Sequence, residues 1–548
     1  MNPRALIAAC AALFFLGCGN SALEPLRTCD TDQDCAGNQV CFADGCGDPG
    51  QGLVVEVLPN AANKQYIQDW AIEKLAPVTN INASAPSVLQ GELQQEILKG
   101  GPVGYSGDVT ISAQGESLLI PGRTRSVIFT VALDKGAFQV PVHSGVYQLA
   151  LTPRDPVFPP MIFDDVTVSP GEVKFVDSTL PAVSSMLQVT GFLVKTANPR
   201  TIPQTAEYDI QAFDAETDRP ISQRVPVSSG TTISDGSFVL WVLPPEGAEE
   251  MIVRAFPRSS RVLGPAKAFR VPLSANVGDL ELGDYGVPVN VTGRVVSRTD
   301  GKPVAGALVH IEGRVTGGGD FDGPSAQTDD TGAFAVQSLP TGNEGSLDII
   351  VEPPPSASAG QFRMQVEVPL QGGSVGDLLA PERVQVTGSL VEPDGDPAAG
   401  VNIFAEPLQS LSDDLPPPRG PFQGVTDANG NFSLALDPGE YRFDFVAMEA
   451  DLPRVSRFVR VTATPSYTGE GFQPVDLPTF ALSRGRTITG TIFAIPRPLG
   501  TMDMLEPAPY ASFRFFRVVS NEGKASAIML AEGTAGSDGT YSVVLPTR

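Results

Sequence analysis

The sequence predicts an all-β protein made of tandem β-sandwiches, and three observations carry that expectation. First, a strand-like Val-Thr-Gly recurs at Val189-Thr190-Gly191, Val291-Thr292-Gly293 and Val386-Thr387-Gly388, with near-copies at Leu89-Gln90-Gly91 and Ile488-Thr489-Gly490. Successive glycines of this marker lie 100, 102, 95 and 102 residues apart. Second, an acidic residue and a glycine followed by an aromatic keep step with it: Asp134/Gly136/Phe138, Asp235/Gly236/Phe238, Asp330/Gly332/Phe334, Asp427/Gly430/Phe432 and Asp538/Gly539/Tyr541. Third, 56 glycines and 50 prolines in 548 residues indicate frequent chain reversals and short strands. A shared period of about a hundred residues is longer than the roughly 20–50 of solenoid repeats, so it denotes domains, each large enough for its own core.

Residues 1–17 read as a processing signal. Arg4 supplies the positive start, and Ala5 to Leu16 is an apolar run too short to cross a bilayer as a mature helix. Phe15-Leu16-Gly17-Cys18 resembles a bacterial lipobox, although Phe15 stands where Leu is usual. That resemblance implies lipid on Cys18 and a membrane partner reached through it. Gly19 follows where an Asp would suggest inner-membrane retention, so the expected location is the outer membrane, facing the periplasm or the cell surface. An ordinary secretory signal is the alternative.

Residues 18–50 form a small cysteine-rich segment. Cys29, Cys35, Cys41 and Cys46 cluster there and no cysteine follows. Export to an oxidising compartment favours two disulfides, in one of three connectivities. Zinc is the alternative, but the spacing lacks the close Cys-x2-Cys pairs such sites use. Asp30-Thr31-Asp32-Gln33-Asp34 alternates like a calcium loop, yet Cys35 and Cys41 occupy the positions that need Gly and Glu.

The repeats divide the remainder into sandwiches at 51–183, 184–286, 287–381, 382–482 and an incomplete fifth at 483–548. In the third, Val289 to Val295 alternates like a half-buried strand, Thr299-Asp300-Gly301-Lys302-Pro303 reverses the chain, and Val304 to Ile311 returns. Phe334 and Val336 should face the core, and Leu347 to Val351 forms a further strand. The fourth repeats the plan, with Phe432, Leu434 and Leu436 on one strand and Tyr441, Phe443 and Phe445 on another. In the first, Gly145 precedes Tyr147, and the interval from Phe138 to Tyr147 equals that from Phe432 to Tyr441. By the same interval the closing tyrosine of the fifth unit would fall near position 550, so either the chain is a truncated product or the last sandwich lacks its final strand and leaves an unpaired edge. Ala61 to Ala76, around Tyr66, Trp70 and Leu75, is the one helix candidate, with a connector as the alternative.

Together these motifs resemble the carboxypeptidase regulatory-like domain. Gly301-Lys302-Pro303-Val304-Ala305-Gly306-Ala307-Leu308-Val309, Asp427-Ala428-Asn429-Gly430-Asn431-Phe432 and Pro438-Gly439-Glu440-Tyr441 carry the likeness, strongest in units three and four. It implies seven-stranded, transthyretin-like or Ig-like sandwiches and a non-catalytic module appended to enzymes, receptors or surface lipoproteins. Turn chemistry accounts for the motif residues: Asp bonds its own backbone, Gly takes positive φ, and the aromatic fills the core. They are fold residues and specify no ligand.

A net charge of −25 spread along the chain offers no basic footprint for nucleic acid and favours solubility. Only two histidines exist, His143 and His310, in different units, and neither begins a His-x-x-Glu as a zinc carboxypeptidase would require. Nucleophile-elbow, phosphate-loop and dinucleotide motifs are missing from the sequence, and no cofactor or metal is expected. Some bacterial surface sandwiches form Lys-Asn isopeptide bonds, and only Lys195 is placed on a first strand to do so. The expected function is a non-catalytic cell-envelope lipoprotein acting as structural spacer or as protein-interaction or adhesion module. Alternatives are a carbohydrate-binding surface protein or an accessory subunit of a secreted hydrolase. Tryptophan is scarce for glycan stacking, with Trp70 and Trp241 alone, and Trp241 is expected in the core.

Overall fold

The computed structural model describes residues 40–42, 45–47, 53–58, 68–71, 76–82, 87–97, 100–197, 200–201, 208–227, 236–258, 263–412, 414–449, 452–465, 471–494, 506–521 and 524–546. These residues are all-β, and their one helical turn is the 3-10 segment Val183–Ser185. The signal segment, Cys18, Cys29 and Cys35 lie outside the described residues. Cys41 and Cys46 are register partners in the backbone of a small hairpin, Val40–Phe42 with Gly45–Gly47.

Unit four shows the plan in its simplest form, seven strands in two sheets. Val384–Val391 is the centre of a three-stranded sheet, antiparallel to Asn431–Leu436 and parallel to the unit's last strand, Val475–Ala481. Phe422–Val425, Asn402–Ser410, Gly439–Val446 and Val455–Val461 form the facing antiparallel sheet. Alternating residues from both sheets, among them Val386, Phe432, Leu434, Tyr441, Phe443 and Phe445, fill the space between them. Units two and three repeat this arrangement about Leu187–Val194 and Val289–Ser297, and unit one does so about Ser87–Gln95.

The two sequence markers prove to be cross-strand partners. Gly91 lies opposite Phe138, Gly191 opposite Phe238, Gly293 opposite Phe334, Gly388 opposite Phe432 and Gly490 opposite Tyr541. Each aromatic is at most 5% exposed because its ring lies against the bare glycine. A Cβ at Gly388 would fall 2.6 Å from the Phe432 ring. The period is therefore one contact, a ring packed over a glycine, written twice in each unit.

Turn chemistry fixes the aromatic strand. Asp427 Oδ1 accepts from the backbone N–H groups of Asn429 and Asn431, both at 2.8 Å, and Gly430 takes φ of 74°. In unit three Asp329, rather than Asp330 of the marker, plays this part, accepting from Thr331 N and Ala333 N. Its hydrogen bonds from Thr331 and Ala333 hold the carboxyl below its ordinary pKa. A buried threonine ties the next loop: Thr426 Oγ1 accepts from Val401 N at 2.9 Å and donates to Ala398 O at 2.6 Å. Thr328 does the same for Ala307 and Val304. The closing tyrosines are pinned alike, Tyr441 donating to Asp437 O at 2.7 Å and Tyr147 to His143 O at 2.9 Å.

Five expectations are corrected. The fifth unit is not left short of strands, because Leu53–Leu58, Gln68–Ala71 and Ile81–Asn82 complete it. Leu53–Leu58 pairs antiparallel with Ser512–Asn521, Gln68–Ala71 pairs with Leu53–Leu58, and Ile81–Asn82 runs parallel to Gly485–Ala494. These occupy the places that Gly439–Val446, Val455–Val461 and Val475–Ala481 hold in unit four. Residues 53–82 thus belong with the end of the chain and not to the first sandwich, whose described strands begin at Ser87. The expected unpaired edge is covered by them, since Leu53, Val55, Val57 and Ile81 share one core with Phe513, Phe515 and Tyr541. The helix candidate is a strand over Gln68–Ala71, while Tyr66 and Leu75 lie outside the described residues. Trp241 points outward and is half-buried, because period-two alternation sends Phe238, Leu240 and Val242 to the core instead.

Candidate functional site

The joint between the two ends of the chain holds the most elaborate charged site. Leu53–Leu58 is apolar on its inner face, so Glu56 falls on the other face, yet it is fully buried there. Three arginines surround it. Arg123 makes a two-pronged bond, Nε to Oε1 and Nη2 to Oε2, each at 3.1 Å, and Arg125 Nη2 lies 2.8 Å from Oε1. Arg514, from the far end of the sequence, reaches Oε2 at 3.3 Å and also contacts Glu532. Burial alone would raise the Glu56 pKa, but hydrogen bonds and charge from Arg123 and Arg125 outweigh it and hold the carboxyl below its ordinary value. Beside this cluster Val54, Ile120 and Phe516 pack together, with the Arg123 guanidinium 6.0 Å from the Phe516 ring centre. The strand Leu53–Leu58, the strand Ser512–Asn521 and the first unit meet at one carboxylate.

Every other junction along the chain is also tied. Gln223 Nε2 donates to Pro153 O, Asp155 O and Phe158 O between units one and two. Ala266 and Asp320 exchange backbone hydrogen bonds between units two and three. Between three and four, Arg383 is completely buried, pairs with Asp437 Oδ2 at 3.0 Å and donates to the carbonyls of Pro353, Pro354, Pro355 and Ala357. Gln361 N donates to Asp437 Oδ1 at 2.8 Å. Phe458 of unit four packs on the core of unit five. Because unit five also precedes unit one in the chain, the series closes on itself.

Among the described residues one group of side chains could hold a cation. His310 and Glu312 alternate onto one face of Leu308–Arg314, and Asp322 stands opposite Glu312 on Asp320–Asp322, with ligand atoms within 4.8 Å of one another. Sequence reasoning passed over this group, searching for the helical His-x-x-Glu spacing when a strand needs His-x-Glu. Arg363 already neutralises Glu312 at 3.1 Å and Asp348 at 2.9 Å. A divalent ion would have to displace that guanidinium, so the group is better described as a satisfied surface network.

Lys195 hydrogen-bonds Gly286 O, lies 3.0 Å from Asp284 and 4.7 Å from the Tyr285 ring centre. The hydrogen bond from Lys195 brings Asp284 below its ordinary pKa. The lysine thus fastens the linker that follows its own unit. His143 offers its carbonyl to Tyr147 and shares no cluster with His310. Hollows lie over the glycine–aromatic pairs of units one and four, the first edged by Gln90, Glu92, Phe175 and Asp177, the second by Thr387, Asn431 and Asp476.

No protein-family model matches the chain, and no curated protein matches it. Among solved structures it is similar to the Bacillus anthracis TIE protein at 10% identity, over 75% of this chain and 74% of that one, with a TM-score of 0.17. It is also similar to a streptococcal ancillary pilin at 9% identity, over 55% of this chain and 99% of that one, TM-score 0.21. The minor pilin GBS52 of Streptococcus agalactiae aligns at 13% identity over 36% of this chain and 96% of that one, TM-score 0.20. Scores this low constrain neither activity nor the arrangement of units, and the all-β class rests on the chain's own strands.

Proposed function

We propose that the protein is a non-catalytic cell-envelope module of carboxypeptidase regulatory-like sandwiches, held to the outer membrane by lipid on Cys18 and presenting an interaction or adhesion surface. The observation that supports this most directly is the use made of the recurring residues. The glycine–aromatic pairs, the Asp turns and the threonine ties are all consumed by the fold. What recurs in all five units is scaffold. The outward faces and the other loops take no part in these contacts, and binding surfaces on sandwiches are built there.

Closure of the chain favours an interaction platform over an extended spacer, since the fifth unit contacts both the fourth and the first. The anchor is tested by replacing Cys18→Ser. The variant should leave the membrane fraction, and its retention there would overturn the lipid assignment. The interaction reading is tested by comparing cells with and without the protein for attachment to host or neighbouring-cell surfaces. Equal attachment would count against adhesion.

Glycan binding is a second reading, supported by one observation. Trp241 stands half-buried on an outer sheet face beside Val239, which is 47% exposed, with the exposed Gln188 and Thr190 opposite this pair, an aromatic ring with polar neighbours on which a sugar face could stack. A glycan array probed with the whole chain, with Trp241→Ala as the control, decides it.

A further inference from the structure

The fifth sandwich is two half-units brought together: the N-terminal half is fastened to unit one, and the C-terminal half to unit four through Phe458 and to unit one through Phe516 against Ile120. The half that carries Leu53–Leu58 is held to unit one by Glu56 with Arg123 and Arg125, and by Val54 against Ile120. The half that carries Ser512–Asn521 follows unit four and is packed by Phe458. Separating the halves would therefore leave a donor strand already ordered on one body and an acceptor sheet on another. Each would expose an unpaired strand edge and one side of a dry core, Val55, Val57 and Ile81 on one part and Phe513, Phe515 and Tyr541 on the other.

From this geometry we infer that the joint is exchangeable between copies: the segment 53–82 of one molecule completes the fifth unit of a second copy of this chain. The same six residue pairs, Leu53 with Arg517 through Leu58 with Ser512, and the same parallel pairing of Ile81 with Ile492 form in either case. The contacts are identical within and between molecules, so effective concentration decides between them. Closing the joint within one chain requires residues 458 positions apart, such as Glu56 and Arg514, to meet. In synthesis the donor emerges first and its acceptor last, so the donor edge stays open to a neighbour's acceptor throughout. Donor and acceptor are different surfaces, so exchange runs head to tail and gives closed rings or filaments of copies. The inference rests on the strand pairing alone and stands whether or not the anchor and adhesion proposals hold.

The test uses Leu58 and Ser512, register partners that are both only half-buried. Two full-length single variants, Leu58→Cys and Ser512→Cys, are denatured, mixed, refolded across a range of concentrations and oxidised, and the 58–512 cross-linked peptide is sought by mass spectrometry. The double variant Leu58→Cys/Ser512→Cys reports closure within one chain. Exchange predicts a species at twice the monomer mass that carries the 58–512 bond and one copy of each variant, with a yield that rises with concentration. If the mixed singles never form that bond while the double variant forms it within the monomer, the joint is real and exchange is wrong. Absence of the bond in both samples overturns the joint and the exchange together.

Discussion

Arg514 reaches the Glu56 carboxylate at 3.3 Å across 458 residues of sequence, and Arg123 and Arg125 hold the same carboxylate from a third segment. Removing it leaves a group of guanidinium charges without their shared counter-ion. Glu56→Gln should destabilise the fifth unit by about 3 kcal/mol, the scale on which breaking a buried ion pair acts. Chemical unfolding followed by hydrogen exchange over residues 512–521 would show the loss confined there.

The pH dependence of that effect has a definite sign. The folded pKa of Glu56 is lowered relative to the unfolded chain, so its contribution is complete above the ordinary glutamate range. It fades as pH falls through that range towards the lower folded value. The stability gap between the natural chain and Glu56→Gln should therefore be widest near neutrality and shrink in acid, as read from unfolding midpoints measured from pH 7 to pH 3.

Glycine-to-alanine changes should rank by what the new methyl meets. At Gly388 it meets the tip of the Phe432 ring at 2.6 Å, a side chain that can tilt. At Gly490 it meets the carbonyl oxygen of Thr79 at 2.0 Å, in the parallel strand region supplied by the donor segment. Gly388→Ala should cost about 1–3 kcal/mol as an overpacking change, and Gly490→Ala more. Gly388→Ala should be partly rescued by Phe432→Leu. Thermal unfolding of the three variants checks the order.

Thr426→Val keeps shape but strips a buried hydroxyl that serves Val401 N and Ala398 O. Leaving both backbone groups unpaired should cost about 2–4 kcal/mol. Thr426→Ser, which keeps the hydroxyl, should recover most of it in the same unfolding assay.

Deleting residues 51–82 removes Leu53, Val55, Val57 and Ile81 from the fifth core, each of which contributes roughly 1.5–3 kcal/mol of burial. Amides of Gly485–Ala494 and Ser512–Asn521 should then exchange freely, while Val384–Val391 of unit four stays protected. Protection of all three would show that the C-terminal half folds without its donor.

The repeat was legible because its physics is local. In every unit a glycine and an aromatic further along the chain are register partners on neighbouring strands of one sheet, so one contact leaves two marks 41 to 51 residues apart. Asp329 was missed in favour of Asp330 because both satisfy the composition of the turn and only one satisfies its hydrogen bonds. Trp241 was misplaced by weighing the hydrophobicity of its neighbours above the strict alternation of a strand. The split fifth unit escaped because the partners of Ser512–Asn521 lie at the opposite end of the sequence, where no interval read forward from Tyr541 could find them. Glu56 escaped for the same reason. Its neighbours in sequence are apolar, and all three arginines that make it a buried ion come from elsewhere.

Joining residues 53–82 to residues 485–546 in one sandwich also changes how the molecule bears mechanical load. Tension drawn between position 53 and position 546 runs through that single sandwich and bypasses the four others, which act as a slack loop until it gives way. Its rupture would release several hundred residues of folded chain at once, so the seam acts as a fuse: rigid below its breaking force and abruptly extensible above it.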